Sequence, residues 1–282
     1  MRDNRGVPAG PVIVSLVVLG LGGAYLGVTC HTLPGSGGGR GMAVGSVLRV
    51  VVWDIGRRDG GAAPHDVADH VARVLSRMTP HVVALQGVSG RAQATRVARA
   101  MPGAWRTVVI PWSSTGAGHL AVLTHPDMEL RSRALVEAPG GASALVVTVA
   151  TPARRTAHIV CHRAAGLDAP ARTAYIERII DWCDEHPAHV AILCGRVTPY
   201  GAATGDAGDG TATVVRSGGA VRVLTGRFVA AVPRGGVGGS NGALTSELYV
   251  APRTTVLHEV AVMHDAAVGP IDHAPVALDL TP

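Results

Sequence analysis

Five short signatures lie at the ends of apolar runs in this chain and collect the side chains best able to do chemistry. In order they are Val52-Trp53-Asp54-Ile55, Ala84-Leu85-Gln86-Gly87-Val88, Val160-Cys161-His162, Leu193-Cys194-Gly195-Arg196 and Ile271-Asp272-His273-Ala274-Pro275-Val276. Imidazole is the side chain that titrates nearest neutral pH, so His162 and His273 are candidates for proton transfer. The competing reading is architectural, with both rings held by hydrogen bonds to neighbouring strands. Asp54 and Asp272 offer the oxygens that hard cations take. Arg196 offers a planar fork suited to phosphate, or else an internal ion pair with Asp54 or Asp272. The remaining polar clusters carry less. Cys30, Cys161, Cys183 and Cys194 have no CxxC spacing, which excludes an ordinary structural zinc site. Asp206 and Asp209 are too few acids for a calcium loop, and no Glu closes it. His65, His70, His81 and His119 show no ligand spacing.

These signatures need elements to hold them. Hydrophobic periodicity predicts a strand over 48–53, a helix over 66–78 with Val67, Val71 and Val74 on one face, a strand over 81–85 and a helix over 91–100. Short strands are expected near 105–110, 120–123, 131–136, 144–150 and 158–161. An amphipathic helix over 171–185, with Ile176, Ile179, Ile180 and Cys183 inward, leads into a strand over 189–194. The last strands are expected at 246–250, 256–263 and 276–280, with Gly-rich excursions at 200–210 and 233–242. Helices and strands alternate early and again around 171–194, which is the pattern of a mixed α/β domain. No repeat of solenoid period is present.

The chain has 282 residues, 47% of them hydrophobic and only 16% charged, so it can bury a large core and is neither disordered nor fibrous. Its mean hydropathy of +0.28 reflects the apolar stretch from Val7 to Thr29, long enough to cross a ~30 Å hydrocarbon layer as one helix. We expect residues 1–30 to be a membrane anchor or an export signal, 31–46 a Gly-rich linker and 47–282 the folded domain. Arg2 and Arg5 precede the apolar stretch and only Arg40 follows it closely, which places the domain on the extracytoplasmic side, or secretes it if the segment is cleaved. The net charge is +5 and the 25 basic residues are scattered, so nucleic acid is not indicated as a partner, and no protein partner can be named.

The ordered series of signatures resembles the endonuclease/exonuclease/phosphatase superfamily, the DNase-I-like fold. That family shows in sequence a Trp-Asn-Ile strand end, a Leu-Gln-Glu, a Thr-His, a Gly-Asp-Phe-Asn and a Ser-Asp-His followed by Pro-Val. The segment from Gly118 to Thr124 resembles its Gly-x-Ala-Ile-Leu-Ser strand. The resemblance spans Leu48 to Leu280 and implies a four-layer α/β sandwich, here preceded by one N-terminal transmembrane helix.

The resemblance also implies a magnesium-dependent phosphoesterase site, from which this chain departs. Gly87 stands at the family's metal-binding Glu, Arg196 at the Asp of Gly-Asp, Thr198 at the following Asn, and Asp54 at the Asn of the first motif. His162, Asp272 and His273 match. By resemblance His273 is the general base or a phosphate stabiliser, and Glu247 (Ser246 in a shifted register) is the acid that orients it. Arg196 and Thr198 would meet a phosphate-containing ligand. Gly87, Arg196 and Asp272 together carry no net charge, and adding Asp54 leaves only one negative charge to attract a divalent cation. The expectation is therefore a membrane-tethered domain with a degraded metal site, weakly active or inactive, that binds or scaffolds. The alternative is an active phosphoesterase using Mg or Mn held by Asp54 and Asp272, cleaving phosphodiester or phosphomonoester bonds in phospholipid, nucleotide or nucleic acid.

Overall fold

The computed structural model describes residues 28–29, 47–56, 62, 64–113, 118–138, 140–151, 153–164, 167–197, 228–231, 233–234, 244–245, 247–251, 255–262, 271 and 273–282. The elements run β1 (Val28–Thr29), β2 (Leu48–Asp54), a 3-10 turn (His65–Val67), α1 (Ala68–Met78), β3 (Val82–Val88), α2 (Arg91–Ala100), β4 (Arg106–Pro111) and β5 (His119–Thr124). Then come β6 (Glu129–Glu137), β7 (Ser143–Ala150), β8 (Thr156–Arg163), α3 (Ala169–Glu185) and β9 (Val190–Arg196). The chain ends with β10 (Val229–Ala231), β11 (Pro233–Arg234), β12 (Leu244–Thr245), β13 (Glu247–Ala251), β14 (Val256–Val262), β15 (His273–Ala274) and β16 (Val276–Thr281).

The strands form two six-stranded mixed sheets, ordered β14-β16-β2-β3-β5-β4 and β10-β13-β9-β8-β7-β6, with two short ladders, β1-β11 and β12-β15. Each large sheet has one parallel pair, β2 with β3 and β8 with β9, joined through α1 and α3 respectively. A parallel pair needs such a crossover, which returns the chain to the same edge and points both strands the same way. Three cores separate four layers. Val50, Val52, Ala84, Ile159, Cys161 and Cys194 belong to the core between the sheets. Trp53, Val71, Leu75 and Val97 pack α1 and α2 on one sheet, and Val160, Tyr175, Ile176 and Leu193 pack α3 on the other. The four-layer α/β expectation is met for the domain.

Where the elements differ from their expected bounds, the cause is local. Asp168 caps α3, its Oδ1 accepting from Ala171 N at 2.8 Å, and Pro170 in the first turn has no N–H to lose, so the helix begins two residues early. The helix expected from residue 66 opens with the 3-10 turn instead. The short strands β10, β11, β12 and β15 carry no periodic signal and are set by their partners across the fold. The expected transmembrane helix lies outside the described residues, apart from Val28 and Thr29. Those two form β1, in parallel register with Pro233 and Arg234. Among the described residues no helix is long and apolar enough to cross a membrane.

Candidate functional site

Four strands run past their apolar stretches and carry the polar signatures inside the ladders. β2 continues to Asp54, β3 to Val88, β8 to Arg163 and β9 to Arg196. Side chains in a strand alternate between faces, so the register decides where each group points. Val50 and Val52 face the inter-sheet core, and Asp54 follows them; Val82 and Ala84 do likewise, and Gln86 follows. Cys161 and Cys194 also line that core, which brings Arg163 and Arg196 to the same cleft. These are the carboxyl ends of two parallel pairs, the end where open α/β sheets bind ligands.

Gln86 ties the two sheets together there. Its Nε2 donates to Cys194 O at 3.3 Å and to Cys161 Sγ at 3.4 Å, while Cys161 Sγ donates to Leu85 O at 3.4 Å. Burial pushes the Cys161 thiol up to about 12 and Cys194 likewise upward, so both sulfurs are inert packing groups. Asp54 accepts from Gly56 N at 2.9 Å through Oδ1. Its Oδ2 lies 3.7 Å from Nε of Arg163, and the two side chains are only 1% and 2% exposed. The Arg163 guanidinium in turn stands 5.7 Å from the Trp112 ring centroid. Arg196 Nη1 donates to His273 Nε2 at 3.4 Å. A guanidinium can only donate, so this contact occupies the Nε2 lone pair that a general base would need. Trp53 Nε1 holds the His273 carbonyl at 2.8 Å, fixing β15 beside β2.

His162 matches its expected motif but does not join this group. Val160 and Ala164 line the core under α3; His162, two residues from each, shares their face, and its ring centroid is 6.3 Å from that of Tyr175. It is fully buried, neither ring nitrogen has a hydrogen-bond partner among the described residues, and burial pushes its pKa down to about 3. Neutral and enclosed, it is a packing group rather than a proton carrier near neutral pH, without the hydrogen bonds to neighbouring strands that the architectural reading expected. Glu247 begins β13, in register with Gly195 on β9, so its backbone stands at the expected strand end. Thr198 and Asp272 lie outside the described residues. Sequence reasoning missed Arg163. The alternation Ala157, Ile159, Cys161, Arg163 was the signal that could have placed it on the inner face.

Position 87 has been given to backbone packing. Gly87 has φ +67°, beside a register shift in the β3–β5 ladder. A Cβ there would overlap Gly56, lying 2.5 Å from its N and nearer still to its Cα, with Asp54 Oδ1 at 3.0 Å. The place of the family's metal-binding Glu is therefore closed to any side chain. Among the described residues no three His, Cys, Asp or Glu side chains meet in a way that could hold a metal ion. Asp54, the carboxylate described in the cleft, is turned to Gly56 N–H and Arg163. The donor set described does not fit Mg²⁺ or Mn²⁺, which require several anionic oxygens.

No sequence model of a known family matches the chain, and no curated protein matches it. Solved structures do match in three dimensions. An endonuclease/exonuclease/phosphatase family protein from Bacteroides thetaiotaomicron is 11% identical with a TM-score of 0.58, over 83% of this chain and 97% of its own. An endonuclease/exonuclease/phosphatase from Beutenbergia cavernae DSM 12333 is 16% identical with a TM-score of 0.57, over 83% and 71%. A mannosyl-6-phosphatase from Bacteroides thetaiotaomicron VPI-5482 is 11% identical with a TM-score of 0.56, over 83% and 99%. Two mixed sheets face to face with helices outside agree with these neighbours: the chain has the DNase-I-like fold of these solved endonuclease/exonuclease/phosphatase proteins.

Proposed function

We propose that this is a non-hydrolytic member of the fold, a membrane-tethered binding or scaffolding domain in which arginines stand where a metal would act. The observation that carries the reading is Gly87, whose missing side chain makes room for Gly56. Arg163 against Asp54 and Arg196 against His273 support it, because both cations sit among the groups that a divalent ion would need. The ligand class is a phosphate-bearing molecule that draws Arg196 from His273.

Calorimetric titration of Mg²⁺, Mn²⁺ and inorganic phosphate into the full chain tests this, alongside hydrolysis of a generic phosphodiester and a phosphomonoester with and without chelator. The expected result is no metal binding and no chelator-sensitive turnover. Metal binding with such turnover would establish the competing reading, an active Mg- or Mn-dependent phosphoesterase built on Asp54 and Asp272. The likeness to a mannosyl-6-phosphatase favours that alternative.

A further inference from the structure

The two helical layers carry opposite charge. From the 3-10 turn through α2, Arg73, Arg77, Arg91, Arg96 and Arg99 stand exposed against Asp66 and Asp69, a net of +3. From Asp168 through α3 the balance is −3. Asp69 is taken up by Arg96, Nε to Oδ1 at 3.0 Å and Nη2 to Oδ2 at 2.6 Å. The basic side chains therefore dominate the α1–α2 face. A cleft of about 550 Å³ opens between the two helices, lined by Asp69, Arg73, Ser76, Arg77, Ala100 and Pro102.

The chain enters the domain at the rim of this face. Arg49, two residues after Val47, donates through Nη1 to Met78 O at 3.1 Å and Thr79 Oγ1 at 3.2 Å, at the C-terminal end of α1 next to Ser76 and Arg77.

We propose that the α1–α2 face rests on an anionic phospholipid surface, with Arg73, Arg77 and Arg99 meeting lipid phosphates while the acidic α3 layer faces away. The placement rests on the tethered reading above, and the charge and the cleft stand without it. A polyanionic strand fits less well, because among the described residues that line the cleft none is an aromatic that could stack on bases.

The test is vesicle partition of the full chain on pure phosphatidylcholine and on phosphatidylcholine with about 30% phosphatidylglycerol. The apolar segment contributes equally to both, so the ratio of the two partition coefficients reads the charged face. An arginine near such a surface is worth about fivefold, so R73Q/R77Q/R99Q should lower that ratio by about a hundredfold at low salt. High salt should erase the difference between wild type and variant. A control triple, R131Q/R133Q/R154Q, removes the same charge away from this face and should leave the ratio nearly unchanged. Equal losses in the two triples, or none in either, would overturn the proposal. So would concentration-dependent self-association abolished by the first triple, or capture of an oligonucleotide in preference to lipid. Failure to bind phosphatidylcholine would reject the tether alone, since phosphatidylglycerol binding would still report on the face.

Discussion

His162 makes the sharpest test of how this fold uses its inherited residues. In the folded chain its pKa is pushed down to about 3 by burial, whereas an unfolded histidine titrates near 6.5. Between those limits the unfolded state binds one proton that the folded state refuses, so stability falls as pH falls. The full contribution is present above about pH 6.5 and is lost progressively toward pH 3. Each pH unit in that window costs about 1.4 kcal/mol, which accumulates to about 2 kcal/mol between pH 7 and pH 5. Burial also lowers the pKa of His81 and His158, which therefore add in the same direction. The assay is urea unfolding followed by tryptophan fluorescence across that range, for the native chain and for His162→Leu. The variant removes an unsatisfied buried imidazole, so it should be no less stable at neutral pH. Its loss on acidification should be smaller by about 2 kcal/mol. The same pH dependence in both proteins would mean that His162 titrates normally, and would refute its assignment to the sealed core under α3.

Other perturbations separate the cleft from the scaffold. Gly87→Ala should cost about 3 kcal/mol or more in urea unfolding, from the positive φ and the overlap with Gly56. For the same reason Gly87→Glu combined with Arg196→Asp should unfold the cleft before it creates a magnesium site, which calorimetry with circular dichroism would show. Arg163→Met leaves the Asp54 carboxylate buried without its guanidinium partner and should cost about 3 kcal/mol by the same unfolding assay. Asp279→Ala removes the fork that holds Arg49, at 2.7 and 2.5 Å, and should cost about 2 kcal/mol while leaving phosphate binding unchanged in calorimetry.

Much of the architecture was legible in the chain itself. Continuous apolar runs marked the central strands, and α2 spans the residues that its periodicity predicted, because local patterning and burial agree there. The order of the five signatures likewise pointed to the fold, since four close a strand and the fifth leads into one. What the sequence could not supply were decisions made between strands far apart in the chain. Whether His162 or Arg163 reaches Asp54 depends on the register of β8 across the sandwich, and a one-residue change of register exchanges the faces. The conformation of Gly87 comes from Gly56 pressing against it, and the contact between Arg196 and His273 joins β9 to β15. Composition and periodicity determined the layers of this protein; the packing of one layer on another decided which polar residues share a cleft, because side-chain direction is a property of paired strands rather than of a residue and its neighbours in sequence.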